Sequence, residues 1–143
     1  MMTTIAYDGT TLACDSQVTA GTVKGRLPKY RRLPGGAVML VAGEVDLLDE
    51  AVEDYLAGRP PEVPRDQDGQ ERATFVRLDK TGAWYSGEGE WSRMYPGDAL
   101  GSGSPYALTC LHLGLDAKKA VQTACELDLY SGGPVKTFKI RGK

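Results

Sequence analysis

This sequence predicts an α+β fold, in which two stacked β-sheets lie between helical layers. Three observations point there. β-prone runs fill the first third of the chain and return in its middle, separated by one amphipathic helical stretch. Two helical stretches and a last β-prone run then close the chain. The apolar run at 37–42, bounded by Gly36 and Gly43, is continuous rather than alternating, which suits a strand covered on both faces.

The elements follow in order. Residues 3–7 and 10–14 read as strands, joined at Asp8-Gly9, a turn signal that calls for positive φ at its central residues. A short strand is expected at 29–33, closed by Pro34-Gly35-Gly36, and another at 37–42. Asp46 is placed to cap a helix reaching to about 57, with Gly58 behind it. Leu47, Leu48, Ala51, Val52, Tyr55 and Leu56 form its apolar stripe, opposite an acidic solvated face. Residues 59–72 are polar and proline-rich and read as a loop. Strands are expected at 74–78, 83–86 and 91–95. Ser104-Pro105 reads as a cap followed by proline at the first helical position, opening a helix to about 115. Asp116 caps the next helix, 117 to about 127, and 135–140 alternates like a half-exposed strand.

The 143 residues fit one domain, spanning 1–143. That length buries enough surface to hold a core without a disulfide or metal staple. Apolar residues at 41% and charged residues at 25% are an ordinary globular mix, and a net charge of −2 offers no basic field for nucleic acid or anionic lipid. The apolar run at 37–42 is too short to span a membrane, and the N-terminus does not read as a signal peptide, so a cytoplasmic location is expected. Cys14, Cys110 and Cys125 form no C-x-x-C pair, which fits reduced thiols rather than a disulfide framework or a zinc site. No cofactor or metal is expected. His112 is the only histidine and falls on the polar side of its helix, so a Ser-His-Asp or Cys-His centre is hard to build.

Chemistry must be sought elsewhere. Thr3-Thr4 opens the chain, and a threonine that stands first can use its own α-amine as base, whose pKa of about 7.7–8.0 lies close to neutral pH. As a pair the two are also simply β-prone residues. Asp128 continues the apolar stripe of Ala117, Ala120, Val121, Ala124 and Cys125, so it either faces the core with a partner or frays into water. Asp15-Ser16 ends a strand and also reads as a turn. Lys29 lies in a basic stretch with Lys24, Arg26, Arg31 and Arg32, which is most simply a solvated face. Gly101-Ser102-Gly103-Ser104 before a helix either cradles a phosphate or makes a tight turn, and it lacks the Lys-Ser/Thr of a P-loop. Trp84, Trp91 and Tyr95 read as core or interface residues.

The order of these segments resembles one family. Thr3-Thr4-Ile5, Asp15-Ser16-Gln17-Val18-Thr19 and Lys29-Tyr30-Arg31-Arg32-Leu33 resemble the opening of HslV, the bacterial relative of proteasome β subunits. Ala42-Gly43, the stretch from Gly101 to Leu108, and Asp128-Leu129-Tyr130-Ser131-Gly132-Gly133 resemble later motifs of the family, the last of them the proteasome β version more than the HslV one. The resemblance implies a four-layer αββα sandwich of the N-terminal-nucleophile hydrolase type, proteasome-like, with residues 1–2 as a removable leader. It implies a threonine endopeptidase with Thr3 as nucleophile and its amine as base. Lys29 then supports the developing alkoxide, and Asp15 holds the lysine in place. The Gly43 N–H matches the oxyanion donor, and Ser102, Asp128 and Ser131 match the polar cluster that orients the amine. A homo-oligomeric ring, fed unfolded polypeptide by an HslU-like AAA+ unfoldase, is implied in the same way.

Three features depart from the family pattern. Met1-Met2 precede Thr3 and hold its nitrogen as an amide. The stretch from Gly43 to Asp46 is one residue shorter than in relatives. The loop at 59–72 stands where relatives carry a second helix, which implies a reduced helical layer on that face. Two other readings stay open: a catalytically silent scaffold subunit, and a stand-alone hydrolase of a small amide.

Overall fold

The computed structural model describes residues 3–20 and 23–139. The chain opens with a hairpin, β1 (Ile5–Tyr7) and β2 (Thr11–Cys14), in register Ile5↔Cys14 to Tyr7↔Leu12. The turn between them differs from the expected one. Only Gly9 has positive φ, at 99°, while Asp8 stays in the ordinary region and accepts the N–H groups of Thr10 and Thr11 on its carboxylate. The side chain, rather than a second left-handed residue, closes the turn.

Next come β3 (Gln17–Ala20) and β4 (Val23–Arg26), a separate two-stranded ribbon that the sequence reading did not anticipate. Every residue of β4 is exposed, so the run of Lys24 and Arg26 carries no apolar alternation to betray a strand. β5 (Tyr30–Arg32) and β6 (Val38–Gly43) lie where two strands were expected, and β6 is buried from Val38 to Ala42. Asp46 does not cap the first helix. It sits in a 3₁₀ turn, Val45–Leu47, that leads into α1 (Leu48–Leu56), and no side chain caps that helix.

β7 (Ala73–Asp79), β8 (Gly82–Ser86) and β9 (Trp91–Met94) follow as expected, and β10 (Ala99–Leu100) adds a strand too short to read from sequence. α2 (Ser104–His112) starts at Ser104 itself, with Gly103 at the cap position and no side-chain cap, and ends before the expected 115. α3 (Ala117–Leu127) is capped as expected, Asp116 accepting from Lys119 N at 2.8 Å. β11 (Lys136–Lys139) closes the described chain, and the end of its expected range, Ile140, lies outside the described residues.

Two sheets result, with strand orders β10-β1-β2-β11 and β5-β6-β7-β8-β9. Ile5, Leu12 and Phe138 of the first meet Val38, Leu40, Val76 and Leu78 of the second, which makes the central core. Ala6 and Ala13 face the other way, against Ala107, Ala120 and Val121 of α2 and α3. Small residues there let both helices lie close to the sheet. On the far side Met39, Val41 and Phe75 pack against Leu48 and the half-buried stripe of α1. The layers therefore run helices, sheet, sheet, helix, the αββα order expected.

The last layer is thin, as expected from the loop at 59–72. Beside α1 the outer face of the five-stranded sheet is filled by Arg77, whose guanidinium lies 4.9–5.4 Å from the rings of Tyr55, Trp84 and Trp91. Its Nε lies 3.0 Å from Asp79 Oδ2 but is not aligned for a hydrogen bond. The loop itself is pinned to the β8–β9 turn by Gly89 N donating to Pro61 O at 2.8 Å. Trp84 and Trp91 are half-buried as expected of packing residues, whereas Tyr95 is 62% exposed and belongs to neither the core nor an observed contact among rings. His112 is exposed, as expected.

Candidate active site

Thr3 lies two residues before β1, so the fold decides what surrounds it. The hairpin brings Asp15 alongside, since Asp15 N donates to Thr4 O at 3.2 Å and extends the β1–β2 ladder. β10 pairs with the other edge of β1, Ile5 opposite Leu100, and so delivers Ser102 to the opposite flank. Lys29 comes from the second sheet. It directly precedes β5, its carbonyl accepts from Val41 N at 3.0 Å, and its side chain reaches across between the sheets.

The contacts form two arms. In the first, Lys29 Nζ donates to Thr3 Oγ1 at 2.5 Å and to both oxygens of Asp15, at 3.0 and 3.2 Å. Asp15 also accepts the backbone N–H groups of Thr4 (3.1 Å), Gln17 (3.3 Å) and Gly132 (3.1 Å). Lys29 is 1% exposed and Asp15 and Thr3 are 0% exposed. A lysine and an aspartate this deep demand pairing, because an isolated buried charge is far too costly. The basic stretch around Lys29 therefore divides: Lys24, Arg26 and Arg32 are exposed and Arg31 is half-buried, while Lys29 alone turns inward.

In the second arm, Thr3 N donates to Ser102 Oγ at 3.2 Å. Asp128 Oδ2 accepts from Ser102 Oγ at 2.7 Å and from Ser131 Oγ at 2.6 Å. Asp128 follows the last residue of α3 in extended conformation, so it neither continues the helix into the core nor frays into water. Its half-buried carboxylate finds the partners that the stripe position required.

Glycines let the backbones approach this closely. A Cβ on Gly101 would stand 2.3 Å from Thr3 O, and one on Gly103 would stand 1.9 Å from Thr4 Oγ1. The Gly-Ser-Gly stretch is thus not a phosphate cradle; its spacing presses Ser102 against the first strand. Neither these glycines nor Thr4 is among the residues expected at the site, and the G-S-G spacing is the signal that points to them.

Gly43 ends β6 at φ 125°, with its Cα so near Arg72 O that a Cβ would lie at 2.3 Å. Glu44 N bonds Arg72 O on one side of the strand and Val41 N bonds Lys29 O on the other. Strand alternation therefore turns the Gly43 N–H toward the Lys29 side. A cleft of about 500 Å³ opens beside Gly43, lined also by Gln17, Val18 and Leu27, with Glu44, Asp46, Asp66, Glu71 and Arg72 on its walls. Six of the seven residues expected from sequence, Thr3, Asp15, Lys29, Ser102, Asp128 and Ser131, are joined by hydrogen bonds, while Gly43 lies on the cleft wall and is not among those contacts.

The cysteines stand apart from these contacts. Burial pushes the Cys14 thiol up to about 12 and the Cys125 thiol up to about 11, so neither is an activated nucleophile. Among the described residues, no group of His, Cys, Asp and Glu is arranged to hold a metal ion, and no helix is long and apolar enough to cross a membrane.

No protein-family model and no curated protein matches the sequence. Solved structures do. Thiobacillus denitrificans BPH is similar at TM-score 0.68 and 21% identity, over 95% of this chain and 95% of that one. The same protein in complex with epoxomicin gives TM-score 0.68 at 20% identity. Eukaryotic HslV from Trypanosoma brucei gives TM-score 0.68 at 20% identity, covering 98% of this chain and 99% of that one. Agreement over nearly the full length of both chains, at identities of 20–21%, establishes that this protein shares the four-layer fold of HslV.

Proposed function

We propose that this chain is a threonine endopeptidase of the HslV type, a single domain over 1–143 that works once residues 1–2 are removed. The observation that carries this reading is the convergence of two different groups on one threonine: Lys29 on its hydroxyl and the Ser102–Asp128 pair on its nitrogen. A buried lysine aimed at a threonine hydroxyl has little structural value, whereas a nucleophile needs such support.

While Met2 is attached, the nitrogen of Thr3 is an amide without a basic lone pair. Release makes it an α-amine, titrating at about 7.7–8.0 in the ordinary case. The amine takes the hydroxyl proton, directly or through a water, and Oγ1 attacks the peptide carbonyl carbon. The carbonyl electron pair moves onto oxygen, where the Gly43 N–H donates to it. Lys29 stabilises the negative charge that passes through Oγ1, and Asp15 fixes Lys29. The tetrahedral intermediate then expels the leaving amine, which collects the proton held by the α-ammonium, and an ester remains on Thr3. Water repeats the steps and releases the acid. Ser102, Asp128 and Ser131 orient the amine throughout. With the chemistry goes the assembly: a homo-oligomeric ring in the cytoplasm that receives unfolded polypeptide from an AAA+ unfoldase.

The test is an intact mass of the purified protein together with a peptidase assay. A chain that begins at Thr3, cleaves peptides and loses this on Thr3→Ala supports the reading. Epoxomicin, which is bound to T. denitrificans BPH, is a ready probe, expected to bind the chain that begins at Thr3 and not the chain that keeps Met2. A second reading is a catalytically silent scaffold. The loop at 59–72, standing where relatives carry a second helix, favours it. A mature protein that keeps both methionines and cleaves nothing decides for the scaffold. Activity in a monomer, measured with a solution mass, decides for a stand-alone amidohydrolase.

A further inference from the structure

We infer that Thr4 is a positioning residue, whose hydroxyl sets the state of the carboxylate behind the Thr3 nitrogen. This rests on the reading of Thr3 as the reactive residue and concerns a side chain which that reading leaves without a task.

Thr3 presents its hydroxyl to Lys29, and the next residue, Thr4, presents its own to Ser131, with Thr4 Oγ1 2.7 Å from Ser131 Oγ. Each hydroxyl has one proton to give. Ser131 gives its proton to Asp128 Oδ2 at 2.6 Å, the charged and shorter partner. Thr4 must then be the donor to Ser131. Ser102 likewise gives its proton to Asp128 at 2.7 Å in preference to Thr3 O at 3.1 Å, and so accepts from Thr3 N. Directions are thereby fixed along the whole chain: Thr4 to Ser131 to Asp128, and Thr3 N to Ser102 to Asp128.

Thr4 is 0% exposed and Ser131 3% exposed, so water does not readily replace a missing partner. Thr4 is also tied to the other arm, since its N–H donates to Asp15 Oδ1 at 3.1 Å. One residue thus joins the Lys29–Asp15 arm to the Ser102–Asp128 arm. Gly103 makes room for it, because any Cβ there would collide with Thr4 Oγ1.

If the Thr4 hydroxyl is removed, Ser131 loses the donor it has among the described residues; it still gives its proton to Asp128, but without the polarisation that a donor to its own oxygen supplies, so that bond weakens. A less well solvated Asp128 draws harder on the Ser102 proton and favours the protonated form of the Thr3 amine. The amine should therefore titrate higher, not lower.

The experiment uses the chain beginning at Thr3, labelled with ¹³C-threonine, and follows the pH titration of the Thr3 resonances in Thr4→Val and Thr4→Ser. An upward shift of about half a pH unit in Thr4→Val, restored by Thr4→Ser, is the expected result. The rising limb of peptidase activity should move with it, lowering the rate at pH 7 by about threefold, the fraction of free amine lost on such a shift. A merely structural role would lower the plateau without moving the limb. An unmoved or lowered titration in Thr4→Val overturns the inference even if peptidase activity is intact. A shifted titration in a protein that cleaves no peptide upholds it and overturns the peptidase reading instead. Should Thr4→Val fail to fold, Thr4→Ala, which cannot crowd Gly103, serves in its place with the same expected shift.

Discussion

Replacing Lys29 with methionine keeps a long unbranched side chain and deletes only its charge and donors. The cost can be worked from the surroundings. Lys29 is 1% exposed, and the Asp15 carboxylate it leaves behind is 0% exposed. Removing one partner of a buried ion pair costs about 3–5 kcal/mol. Asp15 would still hold the N–H groups of Thr4, Gln17 and Gly132, which share its charge and place the expected loss at the lower end, about 3 kcal/mol. With a urea dependence of about 1.5 kcal/mol per molar, the unfolding midpoint should fall by roughly 2 M. The assay is equilibrium urea denaturation of the full chain at neutral pH. The double variant Asp15→Asn/Lys29→Met leaves neither charge stranded and should recover about half of the loss. A midpoint shift worth less than about 1 kcal/mol in the single variant, or a double variant weaker than the two singles added, would refute the argument that the pair is a mutually compensated buried charge.

Three more expectations follow from the same geometry. Gly103→Ala puts a Cβ 1.9 Å from Thr4 Oγ1 and 3.0 Å from Ala124 Cβ, so it should cost about 2–3 kcal/mol by thermal or urea unfolding. Asp8 joins the first hairpin turn to the start of α3, accepting from Ala117 N at 2.8 Å on one oxygen and from Thr10 and Thr11 N on the other. Burial pushes its carboxyl up, but those donors outweigh it and hold it below the usual value of 3.8. The sign follows: its stabilisation is complete above that value and is lost as pH falls through the lower folded value, so Asp8→Asn should lose about 1 kcal/mol at pH 7 and converge with the parent in strong acid, as read by thermal melts. Cys14, with its thiol raised to about 12, should resist iodoacetamide at pH 8 in the folded protein and react in urea, which mass spectrometry would record.

Much of the fold was legible because periodicity and turn chemistry act locally. The continuous run at 37–42 became the buried β6, Asp116 became a true cap, and the polar stretch at 59–72 became the loop beside α1. Local rules failed where another part of the chain took over. Asp46 has the right type for a cap, but a 3₁₀ turn intervenes and leaves it outside the helix. β4 escaped notice because it lies outside both main sheets and every one of its residues is exposed. β10 needs only two residues, since its role is to lay Ser102 beside β1.

The sequence by itself determined which residue types were available: a threonine near the start, an aspartate after the second strand, a lysine before the fifth, and a chain with one exposed histidine to offer. It also determined the alternation of apolar runs that makes two sheets and their helices the cheapest way to exclude water. Only the tertiary structure decided that Lys29 points inward while its basic neighbours stay at or near the surface, and that Asp128 meets Ser102 and Ser131. The physical reason is that a charge can be buried only where partners from distant segments converge. Partners separated by 14 residues in one case and 26 in another leave no mark on the local pattern of either.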